Sequence, residues 1–442
     1  MRLPYANPKR NKVKPVIYGF QGLNRNSVIS DNQISASWNM SSRELPCLVT
    51  RPPREVYTTL SKQPNALFAS EKLCWVDGTD FVWDGMVKGT VANGPKSIVD
   101  FNGRIVIFPD KKYYDYIEDE FGNVGNGTEY PAEGSCPDID VACVHNNRIF
   151  GLKGSNIYAC ALGNMQDWTT FVDENGDPSE VGAYATDVAS DGSFTGCVEY
   201  QGHVVMLKPD FCHELYGQRP GNFNVLQVSK TGGLTQNSIT EVKSLLYFLS
   251  RDGIMRYSGG QPAEISQDLN ETFISGASGT DGRMYYISLE TKDGKKLYVY
   301  DTQNDVWMQE DNLDIIQFAR WNGSLYAMAA DKKIYKFNSG TEKFHWWFET
   351  ADFTDDYFGK KVNTGISYRV ELAEDTFMTV SVKTDGGMYK DIKTITNKGN
   401  KQMYLVDIPP LQCERIKIKF SGYGTSRIYG MSRNVTIGSD RV

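Results

Sequence analysis

Four histidines, His145, His203, His213 and His345, are the residues best suited to proton transfer or metal ligation, and no two have the spacing of a local metal motif. A zinc site built from them would need convergence from distant parts of the chain, so no metal is expected. The run Asp173-Glu174-Asn175-Gly176-Asp177 has some of the acids of a calcium loop. The twelfth position, where a bidentate glutamate belongs, is Tyr184, so a solvated turn is expected instead. Neither a Gly-x-Ser-x-Gly elbow nor a phosphate-cradling Gly-x-x-x-x-Gly-Lys occurs. The repeated Ser-x-Asp-x-Gly-x-Thr-Trp boxes of sialidases are also missing. With 54 Asp and Glu, a glycosidase-like carboxylate pair can always be found, so that test has no force. Asn126-Gly127-Thr128 and Asn322-Gly323-Ser324 are sequons in turn-like contexts, where chance produces them readily. The eight cysteines, Cys47, Cys74, Cys136, Cys143, Cys160, Cys197, Cys212 and Cys413, include no C-x-x-C pair. Several lie inside apolar runs and are expected to be reduced, buried thiols of a protein made in a cytoplasm. The expectation is a non-enzyme without cofactor or metal.

The elements behind these residues are short strands. Leu246 to Leu249 and Ile254 to Tyr257 flank Arg251-Asp252-Gly253, and Asp-Gly between apolar runs is a hairpin signal. This makes Arg-Asp-Gly a corner rather than a recognition motif. The same pattern of polar turn then apolar run recurs at Lys72, Arg104, Arg148, His203, Ser244, Arg283 and Ser324. Four of the six steps between these marks are 39–44 residues. Most units add a second strand ending in an aromatic, as in Leu297-Tyr298-Val299-Tyr300. A unit near 40 residues with about four strands is the mark of a β-propeller blade. The expected fold is all-β, a propeller of six or seven blades over residues 55–348, with a β-sandwich as the alternative for that span. Gly, Tyr, Phe and Trp number 41, 25, 21 and 8, which suits many short strands closed by tight turns. No apolar run approaches the roughly 18 residues of a membrane span, and the basic start has no apolar core behind it, so neither a span nor a secretory leader is expected.

Residues 1–54, rich in Asn, Ser, Arg and Pro, read as an extended arm, and 349–442, with longer alternating strands, as a separate β-sandwich. Net charge is +5 over residues 1–50, −15 over 51–350 and +3 over 351–442. A body this acidic does not grip nucleic acid through phosphates. The arm carries spaced anchors, above all Trp38, and positive charge at Arg2, Lys9, Arg10, Lys12 and Lys14. It is expected to lie on a neighbouring copy, with Arg10, Lys12, Lys14, Trp38 and Arg51 as inter-subunit contacts.

The segment "HVVMLKPDFCHELYGQRPGNFNVLQVSKTGGLTQNSITEVKSLLYFLSRDGIMRYSGGQPAEISQDL", His203 to Leu269, resembles the propeller of tailed-bacteriophage tail-nozzle and packaged-DNA stabilisation proteins. "GLNRNSVISDNQISASWNMSSRELPCLVTRPP" and "IPPLQCERIKIKFSGYGTSRIYGMSR" are similar to the ends of structural proteins in prophages of low-GC Gram-positive bacteria. The resemblance covers about a third of the chain and brings no catalytic residues. It implies a virion component assembled in the host cytoplasm, forming a ring, hexameric by analogy. Its partners would be other tail or neck proteins, with DNA only in transit. The competing expectation is a carbohydrate- or receptor-binding protein whose C-terminal sandwich offers Tyr389, Tyr404, Tyr423 and Tyr429 to a ligand.

Overall fold

The chain is seen in a computed structural model that describes residues 11–125, 136–177, 179–397 and 402–437. It is all-β and propeller-like, with only three short 3-10 turns among the described residues. Seven four-stranded antiparallel sheets follow one another along the chain. The first runs Pro64–Ala69, Leu73–Asp77, Asp80–Trp83, Met86–Thr90, and the second Ser97–Phe101, Arg104–Phe108, Lys112–Asp115, Glu120–Asn123. The seventh takes Ile315–Trp321, Ser324–Ala329 and Lys333–Phe337, and borrows its fourth strand, Arg54–Thr59, from the other side of the ring in sequence. First strands of successive sheets pack on one another, and that of the seventh packs on that of the first. Between the fourth and fifth sheets the 3-10 turn Gln236–Ser238 fills the gap, touching the first strands of the fourth, sixth and seventh.

Each of the seven recurrent turns falls at the start of the second strand of one sheet. The apolar runs behind them are continuous because both faces of each sheet are covered. Ile105 and Ile107 pack against the first sheet while Val106 and Phe108 face the third, so the period of two persists with no polar side. One apolar cluster lies between each sheet and the next, closing with the seventh against the first. The Arg-Asp-Gly corner is a hairpin turn, with Gly253 at φ 131°. Arg251 reaches Asp210 of the neighbouring sheet at 2.8 Å, both exposed.

Two further sheets complete the molecule. The C-terminal strands Lys361–Leu372, Gln402–Cys413 and Ser426–Ile437 form a seven-stranded sheet with Asn11–Val13, Val16–Ile17, Met40–Ser41 and Leu48–Thr50. The second sheet has five strands, in the order Ile34–Trp38, His345–Thr350, Ile416–Tyr423, Thr376–Thr384, Lys390–Asn397. Their core, including Trp346, Phe348, Tyr368, Phe420 and Ile428, is one with the cluster between the fifth and sixth ring sheets.

This corrects two expectations. Residues 11–50 are not a bare extended arm but contribute five strands, paired with their own chain. Of their apolar residues, Phe20, Leu23, Ile34, Met40 and Leu48 are buried in the shared core. The ring also ends earlier than expected, since His345–Thr350 belongs to the five-stranded sheet. Ring and two-sheet body are fastened by Leu23 and by the strand Ile34–Trp38: Leu23 N donates to Trp307 O at 2.7 Å, and Gln309 N to Ser37 Oγ at 3.2 Å.

Candidate functional site

The residues with chemical potential fall into four places. The first lies in the fourth sheet, where strands His203–Lys208 and Phe211–Tyr216 set His203 beside Glu214 (Nε2 to Oε1 3.2 Å), both buried. Tyr216 donates to Glu214 at 2.5 Å, Tyr257 donates to its other oxygen, and Tyr216 stacks on His203. Burial alone would raise the Glu214 carboxyl. The two hydroxyls and His203 outweigh it and hold the carboxyl below its usual value. The carboxylate thus accepts three hydrogen bonds from side chains of its own and the next sheet. The pair also has a precedent within the ring. Lys72–Asp84, Arg104–Asp115 and Arg283–Asp301, at 3.0, 2.9 and 2.8 Å, likewise join the start of a second strand to an acid beyond or at the end of the third. His203–Glu214 is the fourth sheet's version of that clasp.

The second place is next to it. Ser190 Oγ lies 3.0 Å from His213 Nε2, the contact that a nucleophile and its base would make. Nothing in the sequence pointed to it, because the two residues are 23 apart and share no motif. His213 is packed against Phe194 and Phe211 with its Nδ1 unpartnered, so no third group fixes the tautomer. Burial and the nearby Lys208 ammonium lower its pKa to about 4. A base that weak does not activate a serine near neutrality. Lys208 itself donates to Val188 O at 3.0 Å and to Ser190 O, and lies over Phe194, which ties the loop to the sheet.

The third place is the junction of ring and body. Arg54 is buried, donates to Asp311 at 2.6 Å and to Glu310, and stacks on Phe337. Arg51 donates to Asn39 Oδ1 at 2.6 Å and to Pro52 O at 2.9 Å, and lies over Phe344. Arg51 is therefore engaged inside its own chain. Only 7% of its surface is exposed, and its Nε lies 3.9 Å from Asp311 at the end of the sixth sheet. Trp38 is half-buried opposite Trp347, and Lys12 and Lys14 are exposed beside the last strand, with Lys12 paired to Thr436. Arg10, with Arg2 and Lys9, lies outside the described residues.

The fourth is a cavity of about 320 Å³ surrounded by the first strands of the ring. These strands are sheet edges, and polar side chains satisfy their free backbone groups. Gln317 Oε1 accepts from Leu67 N at 3.0 Å across the ring closure, and Ser97 Oγ from Ala142 N at 3.0 Å. Gln236 exchanges two bonds with Cys197, while Asn237 Nδ2 donates to Ile316 O at 3.2 Å.

Other candidates resolve simply. Asp173 Oδ1 accepts from the amides of Asn175 and Asp177, so the acidic run is a self-capped turn. Among the described residues no group of three or more His, Cys, Asp or Glu could hold a metal ion. Seven of the eight cysteines are buried, and burial pushes the thiols of Cys136, Cys160 and Cys212 up to about 12. Tyr389, Tyr404, Tyr423 and Tyr429 are all half-buried rather than set out as a platform. Tyr404 stacks on Tyr368, Tyr423 on Phe377, and Tyr429 donates to Glu371. Asn322 and Gly323 form a hairpin turn, and the Asn126 sequon lies outside the described residues.

No family model matches the chain, and no curated protein does. Several solved structures share its general course at low identity. The extracellular domain of a candidate one component system from B. thetaiotaomicron is 12% identical over 88% of this chain, with a TM-score of 0.45. This chain spans only 62% of that structure's length. The N-terminal domain of Nup159 is 8% identical over 72% of this chain and 98% of its own, TM-score 0.39. An exo-beta-1,3-galactanase from Phanerochaete chrysosporium is 8% identical over 70% and 99%, TM-score 0.25. None of the three brings a ligand, an activity or a partner to this chain.

Proposed function

We propose that the chain is a non-catalytic assembly protein: a seven-bladed propeller closed by Arg54–Thr59 and fused to a β-sandwich that the N-terminal segment completes. It acts as one copy in a ring of the tail or neck of a tailed bacteriophage, made in the host cytoplasm and carried in the virion. The observation that supports this best is how the reactive residues are used. His203, Glu214, Tyr257, Lys208 and Arg54 all hold strands and loops to one another, and the contact of Ser190 with His213 has a base of pKa about 4. The phage assignment rests on the resemblance of His203 to Leu269 and of both ends to virion structural proteins. Its partners are then further copies and adjoining tail proteins, and DNA passes without being held because the ring carries −15.

Light scattering of the purified full chain, with negative-stain imaging, tests the reading. A closed ring of copies is expected, with no duplex binding at about 150 mM salt. A monomer that stays dispersed at high concentration and turns over a glycoside, with loss of turnover on one carboxylate substitution, would overturn it.

A further inference from the structure

The ring-axis cavity is lined by no carboxylate, although residues 51–350 carry a net charge of −15. Its two cations are Lys96 and Arg320. Lys96 is neutralised by Asp110 at 2.6 Å, both side chains being buried. Arg320 is exposed and has no acidic partner among the described residues. Its guanidinium lies over Gly282, where a Cβ would come within 3.0 Å of Nη2 and 3.3 Å of Cζ. Gly282, at φ 101° in the turn just beyond the lining residue Thr280, thus leaves room for the guanidinium.

The strand-joining side chains leave definite groups unused. Gln317 engages its oxygen with Leu67 N and keeps its Nε2 protons. Ser97 accepts from Ala142 N and keeps its hydroxyl proton. Asn237 donates to Ile316 O and keeps its Oδ1. Gln317 and Ser97 thus each keep a donor, and Arg320 adds a full positive charge. Phe68 and Phe318 supply the apolar part of the wall. A volume of about 320 Å³ is at the small end of ligand sites.

We infer that this cavity binds a small anionic polyol, a carboxylate- or phosphate-bearing molecule of monosaccharide size. Arg320 pairs with its anion, and Gln317, Ser97 and Asn237 meet its oxygens and hydroxyls. The inference is independent of the assembly reading, since a ring component and a soluble receptor could equally carry the site.

Calorimetric titration of the full chain at low salt, with glucuronate, glucose 6-phosphate, glucose and inorganic phosphate, tests it. At least one charged sugar is expected to bind at least about tenfold more tightly than glucose or phosphate alone. Arg320→Ala should weaken that binding about tenfold or more and Arg320→Glu abolish it, while Arg251→Ala leaves it unchanged. Glucuronate binding alone points to a sugar acid, and glucose 6-phosphate binding alone to a sugar phosphate. Absence of binding at about 10 mM, equal binding of glucose, equal binding of bare phosphate, or insensitivity to Arg320→Ala would each overturn it. Both Arg320 variants alter an exposed side chain, and an unchanged melting temperature verifies that they are folded.

Discussion

In the ring a strand pairs with its neighbour in sequence, as Arg104–Phe108 does with Lys112–Asp115. In the two-sheet body Val13 pairs with Val435, Ile34 with Thr350, and Val49 with Arg427. The ring is therefore a set of local hairpins held by packing between sheets and closed by one distant pair, Arg54–Thr59 with Lys333–Phe337, whereas both body sheets are completed by strands from the other end of the chain. Where the two meet, the cluster between the fifth and sixth ring sheets continues into the body core, so the parts should not melt independently.

The harshest way to break that continuity is to delete residues 1–50. Phe20, Leu23, Ile34, Met40 and Leu48 are all buried, and at about 1.5–3 kcal/mol each their loss approaches the whole stability of a domain. The truncated chain is expected to aggregate or to melt far below the parent in calorimetry. A truncated chain with the parent's melting temperature would show that ring and body are energetically separate.

A subtler break is Arg54→Ala, which leaves Glu310 and Asp311 without their buried partner. A loss of about 3–5 kcal/mol is expected in urea denaturation, against less than about 1 kcal/mol for Arg251→Ala at an exposed pair. Phe348→Ala sharpens the comparison further. It should cost about 3–5 kcal/mol and lower ring and body signals together, in one transition, although Phe348 lies in the body.

The smallest effect is a pH dependence confined to the ring. Unfolded, His213 takes up its proton near its ordinary value of about 6.5, while folded it stays neutral down to about 4. The unfolded chain thus binds the extra proton between those values, and the stability that His213 contributes is present above about 6.5 and lost as pH falls toward 4. A loss of about 1 kcal/mol by pH 5.5 is expected, and it should be absent in His213→Phe.

The same contrast explains what could be read from the sequence. The ring was legible because its signals are local: each turn at Lys72, Arg104 or Ser324 sits one residue before, or at the start of, the strand it announces. The strands of residues 11–50 were not, because Ile34–Trp38 and Leu48–Thr50 are short and get their order from partners hundreds of positions away. The burial of Arg51 was hidden for a related reason, since a basic residue beside Pro-Pro looks exposed until Asp311 and Phe344 come to meet it. Of the candidate sites, only the histidines were visible. Which groups surround them, and that Arg320 faces a cavity without carboxylates, depend on strands brought together around an axis.

The borrowed strand Arg54–Thr59 has a consequence for the order of events during synthesis. It leaves the ribosome before any of the seven sheets, yet its partner Lys333–Phe337 emerges only after every other ring strand has been made. At about 5–20 residues per second the strand waits on the order of tens of seconds with its edge unpaired. Val56 and Tyr57 are still partly exposed once it is docked, so they offer a sticky edge throughout that interval. The timing of closure, more than its final strength, then sets how much newly made chain escapes aggregation. Slowing translation between residues 60 and 330 should lower soluble yield without changing the stability of the protein that does fold.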